Sequence, residues 1–169
     1  HACGADVTMV QRASTHIVSL AEAQRVYMLY HEGLPTRDCD LLAAAMPFPV
    51  LKKAYRVATQ TSKDVDKDLL DGLNAAGFRT NDGIDDCGFQ MTYLQRGGGY
   101  YFNVGCSDLI AAGEIKVLAY DQIERFCADG VDGRDNNIGV LYVFLDLKRF
   151  ALWHPTFPLS FLHVKFVIV

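Results

Sequence analysis

One short apolar strand followed by a long helical stretch constrains this chain more than any other feature of its sequence. Val7–Val10 predicts a buried strand, and apolar residues then recur at three- and four-residue steps between residues 19 and 77. The helices expected there are 19–30, 40–46, one with Pro49 in its first turn, and one that begins with Ser62 as its N-cap and ends at Gly77.

Strand-like segments return after the helical stretch. The sequence predicts a strand at 100–104, a short helix at 108–111 and strands at 114–117 and 122–126, with Gly130 and Gly133 marking turns. This order of strand, helices, strand, helix and strands predicts an α/β fold. The residues after about 135 show no sustained period, so we assign them no structure.

The composition fits one packed domain or a piece of a larger one. Half of the 169 residues are hydrophobic and 21% are charged, which excludes a disordered chain. Sixteen Lys and Arg against twenty Asp and Glu give a net charge of −4, so no basic field exists to attract a phosphate backbone. We therefore expect no nucleic-acid partner.

Cysteine and histidine spacing argues against metal sites and disulfides. The five cysteines form no Cys-x-x-Cys pair and the five histidines no His-x-x-x-His pair, so we predict no metal and reduced thiols. The sequence opens without a signal-peptide pattern, and its longest apolar run, Ile138–Leu145, is far shorter than the roughly 20 residues of a membrane helix. These features predict a cytoplasmic protein without a membrane span.

The sharpest candidate for ligand binding is Arg12, at the end of the first strand. In a dinucleotide-binding fold an arginine at a strand end beside the adenosine ribose accommodates the 2′-phosphate of NADP. A guanidinium donates to phosphate oxygens in pairs, and the hydroxyls of Ser14 and Thr15 supply two further donors. The alternative is an ordinary solvated arginine at a strand end.

Other conspicuous residues favour structural roles. Gly97–Gly99 precedes a β-rich segment instead of a helix, so we interpret it as a hairpin-like bend and not a phosphate loop. The acids Asp82, Asp85 and Asp86 lack a calcium-loop pattern and are interpreted as solvated turn residues. Cys106 before a short helix is either a reactive thiol or, more commonly, a small core residue. His16 has no triad partners that the sequence can place.

Two stretches, taken in this order, resemble the flavin-containing monooxygenases, in particular the dimethylaniline N-oxidising and indole-pyruvate-type branch. Gly4–Thr15 is similar to the second NADP-domain strand of that family and its arginine-and-hydroxyl turn. Tyr93–Ile110, continuing through Gly113–Val117, is similar to the segment that returns from the NADP domain to the FAD domain. Weaker similarity at Glu32–Thr36 and Met46–Pro49 extends the resemblance over roughly residues 4–130.

The resemblance implies a fold, two cofactors and a reaction. It implies a partial Rossmann-like NADP-binding domain over residues 1–130, with a helical insertion at 19–77 and a short β-rich return segment, followed by an unassigned tail at 131–169 that need not belong to the family. NADPH would reduce FAD, O2 would add at the flavin C4a carbon, and the hydroperoxide would oxygenate a small organic substrate. Arg12, Ser14 and Thr15 would bind the NADP 2′-phosphate with Gln11 near the adenine, and no catalytic base is assigned.

The chain also departs from the family pattern. Asn103 stands where the family usually has an aspartate, and an Ala-Thr-Gly strand end is missing after Phe126. Neither nucleotide glycine loop is present, and counting back about 20 residues from Arg12 passes residue 1, so we expect the NADP loop to precede this sequence. A non-catalytic truncated relative and an NADPH-dependent flavoprotein reductase therefore stay open as alternatives.

Overall fold

The computed structural model describes residues 1–2, 4, 6–127, 130–133, 137–139 and 166–168. Its strands are β1 (Thr8–Gln11), β2 (His16–Ser19), β3 (Tyr100–Asn103), β4 (Lys116–Ala119), β5 (Ile123–Cys127), β6 (Gly130–Gly133), β7 (Asn137–Gly139) and β8 (Phe166–Ile168). Its α-helices are α1 (Leu20–Ala23), α2 (Thr36–Ala44), α3 (Phe48–Val65), α4 (Lys67–Ala75), α5 (Gly88–Arg96) and α6 (Cys106–Ala111). Short 3-10 helices occupy Gln24–His31, Ile84–Asp86 and Tyr120–Gln122. The protein thus mixes helix and strand, in agreement with the expected α/β class.

The chain divides into two units. The first comprises residues 1–14, 72–79 and 108–169 and contains a parallel sheet of order β4-β1-β8, with β1 in the centre. In its register Gln11 lies opposite Ala119, and Val10 lies between Leu118 and Ile168. Met9 and Val10 of β1 are buried, together with Leu73, Phe78, Ile110 and Ile115 of the same unit. An antiparallel sheet of order β5-β6-β7 belongs to the same unit.

The second unit comprises residues 15–71 and 80–107. Its two strands, β2 and β3, pair in parallel, with Ile17 opposite Tyr101 and Val18 opposite Phe102. Parallel strands need a long connection, which the intervening helices supply. Ile17, Val18 and Met91 are buried, and Phe89 packs edge-on against Phe102 with ring centroids 4.9 Å apart.

Several expected elements are confirmed and others are wrong. β1, β3, α6, β4 and β5 lie within two residues of their predicted positions. Ser62 does not begin a helix, because α3 continues through it to Val65 and the break comes at Asp66. Its hydroxyl donates to Glu22 at 3.5 Å instead of capping a helix end.

Two elements were not anticipated. His16–Ser19 forms β2, whereas the sequence pattern predicts no strand between Val10 and residue 100. Residues 88–96 form α5, whose buried face consists of Gly88, Met91 and Thr92. Only one of these three is a large apolar residue, so hydrophobic periodicity does not reveal the helix.

The glycine positions also need correction. Gly97 adopts a left-handed conformation with φ of 72° and ends α5, so Gly97–Gly99 joins a helix to β3 and is not a hairpin bend. Gly130 and Gly133 are the first and last residues of β6, which pairs in antiparallel fashion with β5 and β7. Most of the tail after residue 139, and Ala5 within the Gly4–Thr15 match, lie outside the described residues.

Candidate functional site

The candidate site lies where β1 and β4 end. Both strands run in the same direction, and the pair Gln11 and Ala119 closes their ladder. Open parallel sheets hold ligands beyond the carboxyl ends of their strands, because the connecting segments gather there. Arg12 follows β1 at this edge, and the 3-10 helix that contains Asp121 follows β4.

Gln11 is fixed by the backbone of a residue distant in sequence. Its side chain is fully buried, its Nε2 donates to the Arg79 carbonyl oxygen at 2.7 Å, and its Oε1 accepts from the Arg79 amide at 2.8 Å. The carboxamide therefore replaces one backbone pairing for residue 79. Both ends of the amide are used within the protein, and its expected position near an adenine stays a prediction.

Arg12 and Ser14 are exposed and belong to the first unit. Arg12 forms no ion pair or hydrogen bond with any residue of the described part of the chain. Thr15 belongs to the second unit, where it is buried, pairs with Thr80 in a parallel bridge, and accepts from the Asn81 amide through its carbonyl at 3.3 Å. The binding roles predicted for these three residues stay predictions.

Sequence reasoning missed Arg79 and Asp121. The Nη2 atom of Arg79 lies 3.5 Å from the Gln11 carbonyl oxygen, and its Nη1 atom lies 3.7 Å from Oδ2 of Asp121. The Arg79 side chain is 46% exposed and that of Asp121 is 72% exposed. Gln11 and Arg79 are 68 residues apart, so no local pattern indicates that they meet.

Asn103 holds the start of α6 through its side chain. Its Oδ1 accepts from the amides of Gly105 and Ser107, both at 3.0 Å, at the start of α6. A side-chain oxygen in this place satisfies amides that have no partner inside the helix. Asparagine and aspartate both supply that oxygen, so the helix start can form with either residue.

His16 is a buried imidazole in the second unit. Its Nδ1 lies 2.9 Å from the Asn81 carbonyl oxygen, which can only accept, so Nδ1 carries the proton. Burial lowers the pKa of His16 below its ordinary value of 6.5, and the hydrogen bond to Asn81 and the Asp82 charge oppose this only in part. The side chain is thus a neutral core histidine that donates to a backbone carbonyl.

The remaining candidates have structural surroundings. Burial raises the pKa of the Cys106 thiol, which opposes activation at a helix start. Asp82 pairs with Lys63 at 2.7 Å, and Asp85 pairs with Lys52, so these two acids have cationic partners and are not simply solvated. Among the described residues no group of three or more His, Cys, Asp or Glu side chains is placed to hold a metal ion.

The wider comparisons add little to this geometry. No helix in the described part of the chain is both long enough and apolar enough to cross a lipid bilayer. No protein-family model matches the chain, and no curated protein matches it.

Proposed function

We propose that this chain is the NADP-binding part of a flavin-dependent monooxygenase, with a Rossmann-like arrangement around β1. The observation that carries the proposal is the exposed Arg12 directly beyond the carboxyl end of β1, beside the parallel strand β4, with no ion-pair partner among the residues that the structure describes. That is the edge where dinucleotide folds bind their ligand, and an arginine there suits a 2′-phosphate. The resemblance of Gly4–Thr15 and Tyr93–Val117 to the flavin-containing monooxygenases supports the same assignment.

The residues present fit the adenosine end of NADPH. A guanidinium is suited to a phosphate dianion, since it can donate two parallel hydrogen bonds to it. Arg12 would bind the 2′-phosphate, and the exposed Ser14 would supply a hydroxyl donor. When bound, the nicotinamide supplies a hydride for reduction of the flavin. We assign no described residue to the flavin and derive no chemical step through it.

Selective loss of affinity for the 2′-phosphate tests the proposal. Isothermal titration calorimetry on the full chain should show tighter binding of adenosine 2′,5′-bisphosphate than of 5′-AMP. Arg12→Ala should remove about 1.5–3 kcal/mol from binding of the bisphosphate, which is about ten- to a hundredfold, and leave 5′-AMP nearly unchanged.

Arg37→Ala is the matched control, because Arg37 is an exposed arginine on α2 in the second unit. It should change neither affinity. An equal loss for both nucleotides in Arg12→Ala would contradict the assignment of Arg12 to the 2′-phosphate. Equal affinity of the unmodified chain for the two nucleotides would contradict NADP selectivity itself.

A further inference from the structure

We infer that Arg79 is a second phosphate-binding arginine of this site and that Asp121 restrains it. The inference rests on the proposed function, because it assigns more of the same site. Residue 79 is held at the end of β1 by the two hydrogen bonds between its backbone and the Gln11 carboxamide. These bonds use only the Arg79 backbone, so they leave its side chain available for another role.

The Arg79 guanidinium lies against the peptide that joins Gln11 to Arg12. Its Nη2 atom is 3.5 Å from the oxygen of that peptide, and nearly half of the side chain is exposed. Arg12 lies at this strand end because it follows Gln11 in the chain, and Arg79 lies there through this contact. The strand end therefore has two arginines. Paired arginines suit a phosphate dianion, because one group can neutralise each negative charge.

The contacts that Arg79 makes are loose. Charge-assisted hydrogen bonds between a guanidinium and a carboxylate are about 2.7–2.9 Å long. The distance from Arg79 to Asp121 is 3.7 Å, and the distance to the Gln11 carbonyl is 3.5 Å. A phosphate could therefore take over the guanidinium donors at little cost, since neither of these two contacts is a strong hydrogen bond.

Asp121 should oppose binding of the phosphate. Its carboxylate competes for Arg79 and also repels a dianion at the same strand edge. Asp121→Asn should therefore strengthen binding of the 2′-phosphate severalfold. In NAD-selective folds a carboxylate accepts a hydrogen bond from a ribose hydroxyl. If Asp121 had that role, Asp121→Asn would weaken binding of every adenosine ligand, which is the opposite result.

Calorimetry on the full chain with adenosine 2′,5′-bisphosphate and with 5′-AMP separates these roles. Arg79→Ala should weaken binding of the bisphosphate about tenfold and binding of 5′-AMP less than twofold. The Gln11 hydrogen bonds do not involve the replaced atoms, so the fold should persist, and circular dichroism checks this. Arg37→Ala and Asp38→Asn, neighbouring exposed positions on α2, are the charge-matched controls and should change neither affinity.

The outcomes distinguish this inference from the proposed function. If Arg12→Ala removes the preference for the 2′-phosphate while Arg79→Ala changes it less than twofold, Arg79 is structural and the inference fails alone. If the unmodified chain shows no preference for the 2′-phosphate, the proposed function fails and the inference fails with it. If Asp121→Asn weakens both ligands, Asp121 contacts the adenosine and the proposed restraint is wrong.

Discussion

Replacing Gln11 with leucine should destabilise the protein strongly. The side chain is fully buried and forms two hydrogen bonds to the Arg79 backbone, at 2.7 and 2.8 Å. Leucine fills a similar volume but offers neither a donor nor an acceptor. The variant therefore leaves the amide and the carbonyl of residue 79 without their partner.

The size of the effect follows from these two groups. Leaving a buried polar group without its hydrogen bond costs about 1–3 kcal/mol, so two such groups cost about 2–6 kcal/mol. Arg79 is partly exposed, and water can replace part of the loss. We therefore expect the free energy of unfolding to fall by about 2–4 kcal/mol, a large share of the roughly 5–15 kcal/mol that holds a domain together.

Urea unfolding followed by far-ultraviolet circular dichroism measures this change. With a slope of about 2 kcal/mol per molar urea, the midpoint of Gln11→Leu should fall by about 1–2 M. Gln95→Leu, at an exposed position on α5, is the matched control and should change stability by less than about 0.5 kcal/mol. A Gln11→Leu variant as stable as this control would refute the reasoning.

Three further predictions concern single residues. Burial lowers the pKa of native His16 below the 6.5 of the unfolded chain, so the contribution of His16 to stability is present above pH 6.5 and is lost as the pH falls through the native pKa. His16→Asn keeps a hydrogen-bond donor and should flatten this part of a plot of urea midpoint against pH. An unchanged plot would contradict the conclusion that His16 is a buried, neutral histidine. Gly88→Ala should lower the free energy of unfolding by about 1–3 kcal/mol, because Gly88 has a φ of +65° and a Cβ there would lie 2.5 Å from Oγ1 of Thr59. The same change at Gly98, where a Cβ would meet open space, should lower it far less. Equal losses in the two variants would contradict the strain expected at Gly88. Asn103→Ala should lower the free energy of unfolding, measured by heat or urea, by about 0.5–2 kcal/mol, while Asn103→Asp should stay close to the unmodified chain. A large loss in Asn103→Asp would contradict the conclusion that the side-chain oxygen alone holds the start of α6.

The positions of many elements could be predicted because they depend on local patterns. Pro47 and Pro49 restrict the backbone around the start of α3, so the sequence places that helix start closely. The short apolar segment Val7–Val10 predicts β1 to within one residue of its observed bounds, Thr8–Gln11. In contrast, α5 buries a face made largely of glycine and threonine, and only contacts with the rest of its unit make that face an interior one.

The helix break at Asp66 shows the same limit. Ser62 has the residue type of an N-cap, yet α3 continues through it. The carboxylate of Asp66 accepts from the Ser19 amide at 2.7 Å, and Ser19 lies 47 residues away at the end of β2. A partner this distant in sequence decides which of two polar residues ends the helix, so local propensity favours the wrong one.

The sequence by itself determined β1, β3, β4, β5, the start of α3 and the arginine at the end of β1, because each depends on residues close together in the chain. Only the tertiary structure decided what surrounds that arginine. Parallel pairing places Asp121 at the same edge as Arg12, and the Gln11 carboxamide holds Arg79 there across 68 residues. Hydrogen bonds and charges act through space at a few ångströms, so their partners are fixed by the fold and leave no periodic signal in the sequence.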